Sequence, residues 1–348
     1  MNSETAQVME PEAEYAQALE DGRIECRLCP HHCVMIEGKS GRCHVRGVRG
    51  GRLRALGYGA LSAVHVDPVE KKPLYHFLPG EPVFSIGAWG CNFACAFCQN
   101  WEISQQFPPN VSSRTTPAAV VANAQASGCR MIAYTYNEPL TGFEFVRDCA
   151  RLARQAGLKN VLVTNGYVEE DPAAELLPLL DALNVDVKSM EDTFYRQQCH
   201  ATLEPVLRFC RQARTAGCHL ELTNLVIPGL NDRPELFDRL ADWVAETLGP
   251  KTPLHLSAYH PDFRTSEPPT PIGTLIDAQA RCRAKLSYVY VGNVASDQGH
   301  DTICPDCGAT LVTRSGYRTK MTGIRSGACA GCKRAVDLVL FAGTKHLS

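Results

Sequence analysis

A chain of 348 residues, 45% hydrophobic and 21% charged, has the make-up of an ordinary globular protein, long enough for one large domain with small modules or for two ordinary domains. Its formal net charge of −2 excludes a global pull toward nucleic acid or an acidic membrane. No run approaches the ~18 apolar residues of a spanning helix, and the N-terminus lacks the basic flank and apolar core of a signal peptide, so a cytoplasmic protein with no membrane partner is expected.

Residues 1–22 carry six acids and no Lys or Arg, and read as an acidic, partly helical lead. Residues 23–80 form a module rich in Cys and Gly that ends in a short β-like region. Its first part, 23–54, holds eight basic residues against two acids. From 81 to 296 short β-branched runs alternate with longer amphipathic stretches. The strand candidates are 83–88, 130–136, 160–164, 182–188, 219–227, 254–257 and 288–291. Between them the helix candidates are 117–127, 142–156, 173–180, 192–198, 203–216, 233–247 and 272–285. Thr116 before Pro117 reads as an N-cap with proline at the first helical position. Gly128, Gly157 and Gly217 each follow an amphipathic run as C-terminal glycines.

This repeat predicts an α/β fold with a parallel sheet, and about six units fit a partial (βα)6 TIM-like barrel better than a closed eight-unit one. Chemistry in such barrels sits at the C-terminal ends of the strands. Residues 300–348 form a last small module; within it, 302–348 carries seven basic residues and two acids.

Seventeen cysteines in a long chain without a secretion signal read as metal ligands in a reducing compartment where they cluster. Three sets stand out. The first is Cys26, Cys29, Cys33 and Cys43, the second Cys91, Cys95 and Cys98, and the third Cys304, Cys307, Cys329 and Cys332. The remaining six, Cys129, Cys149, Cys199, Cys210, Cys218 and Cys282, read as core packing.

The second set has the spacing C-x3-C-x2-C and follows the apolar run 82–89. Three thiolates can hold three irons of a [4Fe-4S] cube and leave the fourth iron open for a small molecule. Clusters that only carry electrons usually have four cysteine ligands. A three-cysteine zinc site is the alternative, but structural zinc normally closes with a fourth ligand.

The stretches GCNFACAFCQNWEIS, YTYNEPL, LVTNGYV, NVDVKS, LTNLVIPGLND, LSAYHPDF and YVYVGNV together resemble the radical S-adenosylmethionine (SAM) superfamily over roughly 82–294. Within it the wording resembles the pyruvate formate-lyase activating enzyme branch, and most closely the AmmeMemoRadiSam system radical SAM enzymes. The resemblance implies that Cys91, Cys95 and Cys98 ligate the cluster and that SAM chelates the open iron. Reductive cleavage of SAM would then give methionine and a 5′-deoxyadenosyl radical that abstracts hydrogen from a protein or small-molecule substrate.

It further implies cofactor-binding roles by position. Phe97 would pack near the adenine, with core packing as the alternative. Tyr136-Asn137-Glu138-Pro139 stands where the activating enzymes have G-G-E-P, so Glu138 would receive the SAM amino group, with Asn137 beside it. Thr164 and Asn165 suit a loop pressed against a ribose. Asp186 and Lys188, two apart on one strand face, would lie beside the SAM ribose and carboxylate, or else form a structural ion pair. His200, Asn224 and His260 complete the set as residues near the mouth.

The third set, two C-x2-C knuckles, fits a zinc ribbon. The first set is a four-cysteine metal site whose occupant, zinc or an auxiliary cluster, stays open; His31, His32 and His44 are substitute ligands. The fragment CRLCPHHCVMIEGKSGRCHVR is typical of the AmmeMemoRadiSam group. Expected partners are a reductant protein such as flavodoxin or ferredoxin, and AMMECR-type and Memo-type proteins. Two alternatives stand beside this reading: a glycyl-radical activating enzyme, and a nucleic-acid-binding or scaffold protein whose metals are all structural. The basic charge of both flanking modules is no more than small solvated modules usually carry, so nucleic acid is not an expected partner.

Overall fold

The computed structural model describes residues 10–108, 111, 113–296 and 298–341. Its centre is an open sheet of eight strands: β1 (Ala63–Pro68), β2 (Pro82–Gly87), β3 (Met131–Tyr134), β4 (Lys159–Thr164), β5 (Ala182–Asp186), β6 (His219–Val226), β7 (Leu254–Ala258) and β8 (Val289–Gly292). Neighbours in the chain are neighbours in the sheet. β2 to β8 run parallel, and β1 pairs antiparallel with β2 as an edge strand. The parallel strands are near-continuous buried runs, such as Met131–Tyr134 at 1% exposure or less, because a parallel sheet is covered on both faces. The seven candidate strands all form, and β1 is an addition, an edge strand on which the consecutive Val64, His65 and Val66 are exposed.

Six crossovers carry α1 (Pro117–Ala126), α2 (Phe143–Gln155), α3 (Glu170–Leu176), α4 (Glu204–Thr215), α5 (Pro234–Trp243) and α6 (Ile272–Arg283). Thr116 Oγ1 accepts the Ala119 N–H at 3.1 Å, with Pro117 at the first position. Gly157 takes φ +76° just past α2, the left-handed conformation that ends a helix cheaply only for glycine. The stretch expected as a helix over 192–198 is a single α turn, Asp192–Phe194, followed by a π turn, Tyr195–Cys199.

The acidic lead departs from its expected helix. Among its described residues, Ala16–Ala18 is a strand that pairs antiparallel with Ile24–Cys26, so a hairpin spans positions 22 and 23. Glu14 and Tyr15 bond to Arg147 at 2.6 Å and to Glu175 at 2.8 Å. These contacts satisfy the lead's charges on α2 and α3, where an isolated helix would leave them in solvent.

The C-terminal hairpins pack against the opposite, N-terminal ends of the strands. Arg314, 3% exposed, donates to the Tyr75 carbonyl at 2.8 Å, and His76 Nδ1 hydrogen-bonds the Asp337 carbonyl at 2.7 Å. Under this contact Glu221, fully buried on β6, accepts the backbone N–H groups of Tyr75 and His76 and bonds His219 and His255. Among the described residues no helix is long and apolar enough to cross a membrane.

Candidate active site and metal centres

The C-terminal ends of β2 to β7 open on a cavity of about 430 Å³. Cys91, Cys95 and Cys98 line it on the loop after β2, together with Phe97, Asn137, Glu138, Thr164, Asn165, Asp186 and Lys188. Ten of the thirteen residues expected around the triad and SAM therefore share one space.

Strand alternation explains the far wall. On β6, Thr223 and Leu225 face the cavity while Leu222, Asn224 and Val226 face the other way. The register sets Thr223 beside Asp186 and Leu225 beside Ser257, which also lines the space. Asn224 is consequently not on the cavity wall. Its amide donates to the carbonyls of Val187 (2.8 Å) and Lys188 (3.1 Å) and pins the turn that carries Lys188.

His200 and His260 are also placed elsewhere. His200 is exposed at the end of the π turn, with its carbonyl bound by Arg42 at 3.1 Å. His260 is exposed on the rim and hydrogen-bonds the Asn293 carbonyl at 3.2 Å. Each follows a strand or turn that does reach the site, but the chain reverses before the ring can turn inward.

Glu138 is the most constrained acid of the site. It is 2% exposed; Oε1 accepts from Thr164 Oγ1 (2.7 Å) and the Leu140 N–H (3.0 Å), and Oε2 accepts from the Asn165 N–H (2.7 Å). Burial outweighs these hydrogen bonds and pushes its pKa up to about 7. The preceding Tyr136 takes φ +74°, a conformation natural to the glycine it replaces in the activating-enzyme pattern. Its hydroxyl donates to Asp67, and the Lys72 ammonium lies 4.3 Å from its ring centre, so the unusual backbone is held from both ends. Asn137 spends its amide on the loop before the triad: Oδ1 accepts from Ala88 N, and Nδ2 donates to the carbonyls of Trp89 and Gly90.

Lys188 Nζ meets Asp186 Oδ2 at 2.7 Å. Burial depresses the lysine, but the Asp186 charge and hydrogen bond together with the nearby thiols outweigh it and raise the pKa. Phe97 packs on Phe194, ring centres 5.9 Å apart, while it also borders the cavity.

Several residues of this region escaped the reading of the sequence. Lys71 and Lys72 line the cavity beside Asp67, at 3.0 and 2.7 Å. The doubled lysine just after β1 was the available signal. Cys199 is fully buried and its thiol hydrogen-bonds to Cys95, a contact between positions 104 apart with no local signature. Trp101 and Phe263 stack at 5.2 Å outside the cavity wall.

The three cysteine sets differ in spacing. Cys304, Cys307, Cys329 and Cys332 bring all four sulfurs within 4.8 Å of one another, with two pairs at 3.6 Å, so a single metal ion can be held there. The triad is wider: among the described residues the C-terminal quartet is the one set of three or more that meets that limit. Three thiols that face one cavity at a spacing too wide for one ion fit a cluster, and the carboxylates, lysines and free space beside them fit SAM.

The sequence profile of the radical SAM superfamily matches residues 88–241. An uncharacterized protein of Methanocaldococcus jannaschii is 42% identical over 334 residues, which cover 94% of this chain and 99% of that one. The pyruvate formate-lyase 1-activating enzyme of Escherichia coli is 24% identical over 176 residues, 49% of this chain and 71% of that enzyme. The GTP 3′,8-cyclase of Pseudomonas savastanoi is 29% identical over 155 residues, 43% and 46% of the two chains. Among solved structures, a radical SAM methyltransferase from Sphaerobacter thermophilus matches with a TM-score of 0.49 and 15% identity, over 62% of this chain and 67% of that one. With the cysteine triad at the mouth of a parallel α/β sheet and the superfamily's profile matching across residues 88–241, the chain belongs to the radical SAM superfamily.

Proposed function

We propose that this chain cleaves SAM reductively and uses the radical to abstract hydrogen from a protein or small-molecule substrate within an AmmeMemoRadiSam system. The observation that carries the reading is one cavity lined at once by Cys91, Cys95, Cys98, Glu138 and the Asp186–Lys188 pair. The three thiolates would hold a [4Fe-4S] cluster, which when bound supplies the electron that breaks the SAM sulfonium.

The chain's own groups then have distinct tasks. Glu138, fixed by three hydrogen bonds, is aimed to accept N–H from the SAM amino group, and it does so best when ionised. Lys188 offers a cation to a carboxylate, with Asp186 keeping it protonated. Asn165 Nδ2 lies 3.7 Å from Cys91 Sγ, where an N–H toward sulfur tunes the cluster. Phe97 gives the adenine an apolar wall. Lys71 and Lys72, both paired with Asp67, stand at another part of the wall and give it positive charge toward an anionic group of SAM or of substrate.

The AmmeMemoRadiSam assignment is supported by the resemblance of the N-terminal motif. It carries with it a reducing cytoplasm, a flavodoxin or ferredoxin as electron donor, AMMECR-type and Memo-type partners, and zinc at the C-terminal quartet, whose 3.6 Å pairs suit a tetrahedral ion with Zn–S of ~2.3 Å. A second reading, a glycyl-radical activating enzyme, is favoured by the Escherichia coli alignment, but that alignment spans only 49% of this chain.

The test is anaerobic: the iron–sulfur-loaded protein, SAM and dithionite, with 5′-deoxyadenosine measured. Product that disappears in Cys95→Ala supports the proposal. No product from loaded protein, or zinc in place of iron at the triad, refutes it. A glycine-centred radical in a co-purifying protein would select the second reading.

A further inference from the structure

We propose that Cys26, Cys29, Cys33 and Cys43 hold a second, fully cysteine-ligated [4Fe-4S] cluster, not a single structural ion. The four thiols line one small cavity, bordered by Leu28 and Met35 from their own module and by Tyr167 and Val168 from the loop after β4.

Spacing separates a cluster from an ion. A tetrahedral zinc with Zn–S of ~2.3 Å draws its sulfurs to about 3.8 Å of one another. The C-terminal quartet does this, with pairs at 3.6 Å. The N-terminal quartet does not: all four residues are described, yet no three of their sulfurs lie within 4.8 Å of one another. The three sulfurs of the triad do not meet that limit either. A cube with an iron at each ligated corner holds its thiolates farther apart than one ion can.

The walls fit such an occupant. Arg46 is 1% exposed and lines the cavity with Cys26 and Cys43. Its Nη1 pairs with Glu144 at 2.8 Å, but its Nε has no hydrogen-bond partner. A buried guanidinium N–H left open beside four thiols is costly unless an anionic group is there to receive it. Gly41 keeps the space free, since a Cβ there would lie 3.3 Å from Cys33 Sγ.

Histidine ligation is not needed. His31 Nε2 is engaged by the Asn92 carbonyl at 2.7 Å, His32 is bound to Glu169 at 2.9 Å, and His44 is exposed. Four thiols close the set and leave no open iron, which distinguishes this cluster from the one at the triad. The two sets stand back to back. A Cβ on Gly90, next to Cys91, would fall 2.2 Å from the Cys43 carbonyl oxygen, and Asn92 borders the N-terminal cavity.

The test uses the full chain with the triad removed, C91A/C95A/C98A, reconstituted anaerobically with iron and sulfide, so it does not rest on the reading of the triad. About four irons and four acid-labile sulfides per chain, with the Mössbauer signature of a four-iron cluster, are expected. A further C26A/C29A change should abolish the sulfide. The C-terminal quartet adds no sulfide, because a single ion brings none. Two sulfides, or zinc without sulfide, in the triad variant overturns the proposal. Should the triad variant not fold, C26A/C29A in the otherwise wild-type chain decides: a loss of about four sulfides relative to wild type supports the proposal, and no loss refutes it.

Discussion

Glu138 accepts the backbone N–H of Asn165 at 2.7 Å, and the side chain of the same asparagine reaches back to Asn92 at 2.8 Å and to the Cys91 sulfur at 3.7 Å. The acid at the end of β3 and the first thiol of the triad are thus set by one residue at the end of β4. Moving any of the three displaces the others, which is how a parallel sheet turns three separate strand ends into one site.

Because the folded pKa of Glu138 is raised to about 7, protonation favours the fold. Its stabilising contribution is complete below the ordinary carboxylate range and is lost as pH rises through about 7. Denaturant unfolding of the wild-type chain should lose about 1 kcal/mol more between pH 6 and pH 8 than Glu138→Gln does. Identical slopes for the two proteins would remove burial as the cause.

Asp186→Asn leaves the Lys188 ammonium without its partner at 2.7 Å. A loss of about 1–3 kcal/mol is expected, with part of it recovered in D186N/K188M, since removing both charges is milder than stranding one. Strict additivity in this double-mutant cycle would mean that the pair does not interact.

Glu221 lies at the opposite end of the sheet. Burial would raise its pKa, but hydrogen bonds from His219 and His255 outweigh that and hold it well below the usual carboxylate range. Its contribution is therefore present at neutral pH and lost on acidification. Glu221→Gln should cost roughly 2–4 kcal/mol by thermal melting while iron at the triad stays unchanged. Loss of triad iron would show that the two ends are not separable.

The C-terminal hairpins bury only a small cluster around Leu311, Val312 and Ile324 against Cys304 and Cys329. Such a core needs its metal. Strong chelation, or Cys332→Ser, should open residues 302–341 to trypsin at Arg318 or Arg325 and lower the melting temperature. Unaltered cleavage in the metal-free protein would count against a structural ion.

Gly90 takes φ +81° against the Cys43 carbonyl. Gly90→Ala should destabilise the chain by more than about 2 kcal/mol and lower iron content at the triad. An unaffected iron count would show that the loop tolerates being pushed off the N-terminal module.

What the sequence determined by itself was local. Spacing along the chain marked three cysteine sets, and alternation of β-branched and amphipathic runs marked seven parallel strands and the loops that end them. Asp186 and Lys188 were legible as a pair because residues two apart on a strand share a face. Only the tertiary structure decided which face that was. Asn224 sits one residue from the cavity-lining Thr223 and Leu225, yet the β5–β6 register turns it outward, while His200 and His260 follow reversals that no local pattern encodes. The left-handed Tyr136, the contact of Cys199 with Cys95 and the buried Glu221 depend on partners from distant strands. The difference between the two quartets is likewise a distance in space: the C-terminal sulfurs all lie within 4.8 Å of one another and the N-terminal ones do not.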